Sequence, residues 1–543
     1  MKKIPAYGPS DATIMVVGEA PGSTEELQGR PFVGTSGIEL TSMLHEAGIT
    51  RNDCYITNVC KYRPPSNDIS KWFLKRTAAR KAGVTEIMGR YPDDTIREGL
   101  LELYEEIETV NPKIIIALGD TALWALTGES GITKWRGSQL TYHDRIPILV
   151  TYHPAAILRM WSWRFIMVQD LRRVNKILAN QQNKPGYSFI IRPSFNDTIA
   201  TISDQLAAAT KGTIRLAVDI ETRQRHIACI GFAWSSTEAI CIPLMDVHKP
   251  LGYWDNEEEA SIIYMLARLL LHPNVEVVGQ NWIYDMQYIA RYWGFIPWPH
   301  LDTMLAHHTL FPGLPKGLDF ISSLYCNHHV YWKDEGKQWD PRYVDEENLW
   351  AYNCTDCVRT YEASYEIEGA AQSMGLEAQV ANQMSMVRPV LISMLRGIRV
   401  DMSRREAICK QLLEAMIHQQ NFLNYVLDRD FNPRSSPQMK QLFYNELGVP
   451  PILHKKTKQP TLAKDALGTL RKKADPILYP IIDAIIEFRR CGTFYSVASV
   501  NLDRDQRLRC SYNLAGTETF RLASSEDAFG YGTNLQNISK GDK

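Results

Sequence analysis

Over the first third of the chain, short apolar runs alternate with longer stretches of helical spacing. Residues 13–17, 55–59, 113–118 and 146–151 are runs of buried-strand length. The alternation predicts an α/β domain with a mostly parallel sheet across residues 13–174. Each run leads into an unusual turn: Gly18-Glu19-Ala20-Pro21-Gly22, then Asn58-Val59-Cys60-Lys61, Gly119-Asp120, and Tyr152-His153-Pro154-Ala155. A further glycine-rich stretch, Gly29-Arg30-Pro31-Phe32-Val33-Gly34, follows the first turn. Ligands in open parallel sheets sit beyond the carboxyl ends of the strands, so these turns are expected on one rim.

Residues 180–186 are polar and rich in structure breakers, which marks a linker. Beyond it, residues 189–191 start a strand and 197–209 have helical spacing. Then comes Leu216-Ala217-Val218-Asp219-Ile220-Glu221-Thr222, an apolar run closing on two carboxylates. On a strand, i and i+2 share a face, so Asp219 and Glu221 converge. One reading is a solvated strand end. The other is a cation site, because carboxylates that close repel unless a cation lies between them. A hairpin over 227–234 and 239–243 follows. Two more acidic signals come later: Asn281-Trp282-Ile283-Tyr284-Asp285 after a strand at 275–279, and Tyr352-Asn353-Cys354-Thr355-Asp356 inside a helical pattern over 345–365. Tyr352 and Asp356 are four apart and share a helix face. Asp219, Glu221, Asp285 and Asp356 together suit two hard divalent cations. Such a pair, about 4 Å apart, activates water and stabilises the leaving oxygen of a phosphodiester. Tyr352 would position the attacking water.

From residue 370 on, long helical patterns dominate. Ile408, Leu412, Leu413, Met416 and Ile417 form an apolar stripe that reads as core packing. The division expected from these patterns is 1–178, a linker at 179–187, 188–370, and 371–543, within the range that a length of 543 residues suggests.

Composition narrows the class only a little. Apolar content of 45% and charged content of 22% are ordinary for a globular chain. The net charge of −1 shows no global basic field, although local grooves matter more than the sum for nucleic-acid binding. No apolar run reaches a bilayer-spanning length, so no membrane partner is expected, and the N-terminus lacks the apolar core of a signal peptide. The 10 scattered cysteines fit a reducing cytoplasm. Cys354 and Cys357 form a CxxC without a nearby second pair, so zinc is not expected there.

The motifs GEAPG, GRPFVGTSG, TNVCKYRPP and YHPAAILR make the first 170 or so residues resemble family-4 uracil-DNA glycosylases. That resemblance implies base flipping into a tight pocket. Phe32 would stack on the base and Asn58 would read its edge. His153 would stabilise the departing base anion, and Glu19 would orient water or stabilise an oxocarbenium-like sugar. Backbone N–H groups of the turns at Gly18 and Gly22 would grip phosphate. The family usually carries four cysteines for an iron–sulfur cluster. Here no cysteine pair precedes the first strand and Tyr62 stands in the usual cysteine position, so no cluster is expected. A glycosylase-like domain kept only for DNA binding or docking is the competing reading.

The order DxE, NxxxD, YxxxD resembles the DnaQ-like 3′–5′ exonucleases, whose fold is RNase H-like. By that resemblance Asp219 bridges both metals (Mg²⁺ or Mn²⁺), Glu221 and Asp356 bind one, and Asp285 helps hold the other, with Asn281 near the substrate. Asp302 reads as structural. Further on, Arg396-Gly397-Ile398-Arg399-Val400-Asp401, Thr517-Glu518-Thr519-Phe520-Arg521-Leu522-Ala523-Ser524-Ser525 and Asn534-Leu535-Gln536-Asn537-Ile538 resemble family A DNA polymerases, of the DNA polymerase I type, from a mainly α thumb into the start of the palm. Phe520 replaces the usual glycine and Ser539 the usual proline, and Gly530-Tyr531-Gly532 lengthens the loop between. Arg489, Arg490 and Arg521 are candidate phosphate contacts, with Gln536 and Asn537 near primer or template. The sequence ends at Gly541-Asp542-Lys543, before the later palm motifs. The expectation is therefore a chain that does not polymerise alone, with palm and fingers on a second polypeptide or lost to an intron or frameshift. DNA, as single-stranded 3′ ends and primer–template, is the expected partner. The fusion of such domains resembles that in polymerases of large bacteriophages, and the resemblance implies a phage origin and a bacterial host cytoplasm. A non-catalytic accessory chain and a repair glycosylase with a DNA clamp are the alternatives.

Overall fold

The computed structural model describes residues 2–180, 184–334, 346–454 and 457–538. Residues 181–183 of the linker, Asp345, Ser539 and the closing Gly541-Asp542-Lys543 lie outside the described residues. The chain forms two compact units, Met1–Ser385 and Met386–Lys543.

The first unit holds two α/β lobes. The first lobe is built on β1 (Ile14–Gly18), β2 (Cys54–Asn58), β3 (Ile114–Leu118), β4 (Gln139–Tyr142) and β5 (Ile146–Thr151), in the order β2-β1-β3-β5-β4. All neighbours are parallel except β4, which runs antiparallel to β5 at the edge. The central strands β1 and β3 are apolar throughout because both faces are covered. Met15, Val17, Ile115 and Ala117 pack on one face, while Val16, Ile114, Ile116 and Leu118 pack on the other. The apolar runs were legible in the sequence. The edge strand β4, Gln-Leu-Thr-Tyr, is half polar and carried no such signal.

The second lobe has β6 (Ser188–Ile190), β7 (Ile214–Arg223), β8 (His226–Ala233), β9 (Glu238–Pro243), β10 (Val275–Gly279) and β11 (Leu301–Asp302), in the order β11-β10-β7-β8-β9-β6. The middle strands β7, β8 and β9 run antiparallel, with β10 and β11 added in parallel. The helix Glu347–Met374 lies on β7, β8 and β9 and buries Trp350, Cys354, Cys357 and Val358 against Ala217, Cys229 and Cys241. Asp219 pairs with Gly231 across β7 and β8. A Cβ on Gly231 would lie 2.1 Å from Asn353 Oδ1, so only glycine lets this helix come so close.

The two lobes share a buried seam. Arg136 of the first bonds Asp170 at 2.8 Å and also donates to Ser323 of the second. Arg173 donates to the Gly137 and Cys326 carbonyls, and Phe320 enters the first lobe's core.

The second unit is mainly helical, with Met402–Leu427 and Tyr479–Ala498 as its longest helices. Its short ladders pair Ile398–Arg399 with Arg507–Leu508 and Ser511–Asn513 with Ala523–Ser525. Here the apolar stripe departs from its reading as core. Leu412 and Met416 are half-buried, but Ile408, Leu413 and Ile417 are exposed, and the helix's fully buried side chain is Leu423. A helix packed against one other helix buries only a narrow seam, and the stripe is wider than that seam. Among the described residues no helix is long and apolar enough to cross a membrane.

Candidate active sites

In the first lobe, four of the expected residues meet at the strand ends. Gly18 closes β1 in register with Asn58 at the end of β2. A Cβ on Gly18 would sit 2.4 Å from Phe32 Cζ and 2.5 Å from Asn58 Oδ1, so glycine is what lets ring and amide close in. Phe32 has a φ of 53°, which a bulky residue rarely adopts, and this is strain held by its surroundings. Glu25 is one restraint. Its buried carboxylate accepts the N–H groups of Gly22 (3.1 Å), Val33 (3.0 Å) and Gly34 (2.7 Å). The Gly22 N–H is therefore spent on Glu25 rather than left for a phosphate.

His153 follows β5, its ring 5.7 Å from that of Phe32. Its Nδ1 accepts the Ala155 N–H at 3.2 Å, which leaves the proton of a neutral ring on Nε2. Burial, with Arg159 adding to it, pushes the imidazole down to about 4, so it is neutral near pH 7. His153 Nε2 and Asn58 Oδ1 are both buried without a protein partner. Two orphaned polar atoms beside an aromatic ring are what a planar, hydrogen-bonding ligand satisfies. Glu19 lies on the same rim and accepts from Thr121 Oγ1 at 2.6 Å. Beneath, the fully buried Lys61 ammonium reaches the Asn58 carbonyl (2.9 Å), Thr57 Oγ1 (2.6 Å) and Glu106 (2.8 Å), which fixes the end of β2.

In the second lobe, Asp219, Glu221 and Asp356 bring carboxylate oxygens within 4.8 Å of one another. The period of two on β7 supplies the first pair, and the helix Glu347–Met374 supplies the third. Asn353, one turn before Asp356, donates through Nδ2 to the Asp219 carboxylate at 2.9 Å and to its carbonyl at 3.2 Å. Burial, then the neighbouring Asp356, pushes the Asp219 carboxyl up to about 7. Burial and Asp219 raise Glu221 likewise. Crowded carboxylates of this kind, two half-buried and one buried, are the donor set a hard divalent cation stabilises, so the residues fit such an ion.

Asp285 stands beside this group rather than inside it. Its Oδ1 accepts the Ile220 N–H at 2.9 Å, and burial and Asp219 raise it. Asp302 holds the preceding turn by accepting the N–H groups of Asn281 (3.1 Å) and Trp282 (2.8 Å). Asn281 itself has a φ of 56°. Tyr352 bonds Lys333 Nζ at 2.8 Å, and Lys333 also pairs with Asp356.

The motifs of the sequence do not single out Glu25, Asn353 as a hydrogen-bond donor to Asp219, or Lys333. Glu25 had a local signal, three residues beyond Gly22. Asn353 shares a helix face with Asp356. Lys333 had none, because its place depends on tertiary packing.

In the second unit, Arg489 donates to the Pro433 carbonyl and the Leu462 carbonyl, both at 2.7 Å, so its guanidinium is taken up inside the fold. Arg490 pairs with Glu487 at 2.9 Å, and both arginines line a cavity of about 1000 Å³ with Arg434. Arg521 is exposed in a turn closed by its N–H to Thr517 Oγ1. Gln536 reaches the Leu522 carbonyl at 2.7 Å, and Asn537 lies in the turn Leu535–Asn537.

An aromatic ring beside two orphaned polar atoms at a parallel-sheet rim, and an acidic cluster on a mixed sheet, are two separate candidate sites in one multidomain chain. Three family descriptions match in chain order: the Uracil DNA glycosylase superfamily over residues 5–179, 3'-5' exonuclease over 194–368, and DNA polymerase family A over 403–543. The type-4 uracil-DNA glycosylase of Thermotoga maritima is 36% identical over 178 residues, 32% of this chain and 82% of that protein. The DNA polymerase of Bacillus phage SP01 is 21% identical, covering 97% of this chain and 63% of that one. DNA polymerase I of Synechocystis is 26% identical, covering 64% of this chain and 36% of that one. The chain belongs to the uracil-DNA glycosylase superfamily through residues 5–179 and continues into 3′–5′ exonuclease and family A DNA polymerase domains.

Proposed function

We propose that this chain serves a DNA polymerase I-like replication and repair enzyme as its 3′–5′ exonuclease and its uracil-excising head. The observation that carries the reading is the convergence of Asp219, Glu221 and Asp356 within 4.8 Å. Asp219, Glu221 and Asp356, with Asp285 beside them, would hold two divalent cations, Mg²⁺ or Mn²⁺. Such ions, when bound, supply a nucleophilic water and stabilise the leaving oxygen. The chain's own residues do the rest. Asn353 fixes the Asp219 carboxylate, and Tyr352 presents a hydroxyl to the water or the scissile phosphate.

In the head, Phe32 stacks on a flipped uracil while Asn58 reads its edge. The neutral His153 donates from Nε2 to the uracil oxygen on which charge develops as the glycosidic bond breaks. Glu19 faces the sugar side. The second unit would grip duplex DNA, with Arg490, Arg521, Gln536 and Asn537 as contacts. A single-stranded 3′ end would be the exonuclease substrate, in a bacterial host cytoplasm.

The test is release of mononucleotides from the 3′ end of a labelled strand. Release that needs Mg²⁺ and is lost in Asp219→Ala supports the reading. A chain that binds the strand but never shortens it, in any divalent ion, is a non-catalytic accessory chain.

A further inference from the structure

The segment between the helix Leu318–Tyr325 and Asp334 belongs to the second lobe, yet it is seated on the first. The His329 carbonyl accepts the Gln139 N–H at 2.8 Å, and the Tyr331 N–H donates to Ser138 Oγ at 3.2 Å. The Tyr331 ring packs on Trp135, their centroids 5.5 Å apart. On the far side, Lys134 Nζ bonds Asp334 at 2.6 Å, and Asp334 also accepts from the Tyr331 hydroxyl at 3.0 Å. Between these anchors lie Trp332 and Lys333. Trp332 Nε1 donates to one oxygen of Asp356 at 2.7 Å, and Lys333 Nζ donates to the other. The same ammonium donates to the Tyr352 hydroxyl oxygen at 2.8 Å.

This arrangement has a chemical consequence. A Tyr352 oxygen that accepts from Lys333 directs its own O–H elsewhere, and the hydroxyl remains a donor. Both oxygens of Asp356 are oriented by two consecutive residues, so its carboxylate plane is fixed. We propose that Lys333 is a positioning residue of the exonuclease reaction, aiming Tyr352 and Asp356, and that the first lobe sets its aim through Ser138, Trp135 and Lys134. The inference rests on the exonuclease reading above. It makes the uracil-excising head a structural part of the exonuclease site: the rim of one lobe tunes hydrolysis in the other.

The test uses the full chain and the variants Lys333→Met, Lys333→Arg and Trp135→Ala. Steady-state hydrolysis of a 3′ end in Mg²⁺ gives kcat and KM, and titration with Mn²⁺ followed by electron paramagnetic resonance gives metal affinity without DNA. Thermal melts report folding. Lys333→Met should lower kcat by about 100-fold with KM within about twofold, the size of loss that misplaced reacting groups produce. It should also tighten Mn²⁺ binding, because Asp356 loses a competing cation. Lys333→Arg should restore part of kcat. Trp135→Ala, in the other lobe, should lower kcat by about tenfold and leave uracil excision unchanged.

If Lys333→Met keeps kcat while tightening Mn²⁺ binding, Lys333 is a counter-ion only and the inference falls. Unchanged Mn²⁺ affinity would also overturn it. So would a Trp135→Ala chain with wild-type kcat. If Lys333→Met fails to melt cooperatively, Lys333→Arg and Trp135→Ala decide. A wild-type chain without metal-dependent hydrolysis would overturn the exonuclease reading and this inference together, whereas wild-type hydrolysis with silent variants would overturn the inference alone.

Discussion

Asn353 donates one amide to both the carbonyl and the carboxylate of Asp219, at 3.2 and 2.9 Å. This bond ties the helix carrying Tyr352 and Asp356 to the strand carrying Asp219 and Glu221. Asn353→Ala should therefore lower exonuclease kcat by about tenfold, since a hydrogen bond to a charged group contributes about 1.5–3 kcal/mol. Steady-state kinetics on a 3′ end check this, and uracil excision should be unaffected.

Gly231 is the other half of that contact. A methyl group there would lie 2.1 Å from Asn353 Oδ1 and 3.1 Å from Cys357 Sγ. Gly231→Ala should push the helix off the sheet and cost about 1–3 kcal/mol, the usual price of overpacking. Denaturant melts and exonuclease assays should show loss of both stability and hydrolysis.

The head has its own pH signature. The His153 imidazole has an ordinary value of 6.5 and is pushed down by burial to about 4. The unfolded chain takes up this proton at higher pH than the folded one. The stability His153 contributes is thus complete above 6.5 and is lost as pH falls towards 4. Because the folded ring stays neutral, uracil excision in EDTA should be flat from about pH 5 to 8. A rate that follows a pKa near 6.5 would show that the ring titrates as if exposed. His153→Leu, which removes the Nε2–H donor, should lower the rate by about 100-fold or more.

Divalent ions should stabilise the first unit by mass action. At about 100 times its dissociation constant, a bound ion adds about 2.7 kcal/mol. Calorimetry should show Mg²⁺ raising a transition in the wild-type chain. Asp356→Ala, which removes one of the three clustered carboxylates, should lose that response.

Much of this was readable from one sequence because local rules governed it. Asp219 and Glu221 share a face by the strand period, and Tyr352 and Asp356 by the helix period. The apolar runs of β1 and β3 marked a sheet covered on both sides. What escaped was set by tertiary contact. Lys333 reaches Tyr352 from a loop segment seated on Trp135 and Ser138, far from both in the chain. Gly231 is needed only because Asn353 lies above it. Arg489 looked like a phosphate contact, yet two backbone carbonyls engage it. Ile408, Leu413 and Ile417 had core spacing, but their helix has a single narrow seam to fill.

The most direct measurement uses the purified chain and a 5′-labelled single strand carrying one uracil, incubated in EDTA or in Mg²⁺, treated with alkali and resolved on a sequencing gel. Base excision needs no metal, so the account predicts an alkali-dependent break at uracil in EDTA. It also predicts a ladder shortening from the 3′ end in Mg²⁺ alone, absent from Asp219→Ala. An intact strand in EDTA would contradict the uracil-excising head. No ladder with any divalent ion would contradict the exonuclease, and the chain would then be a binding subunit.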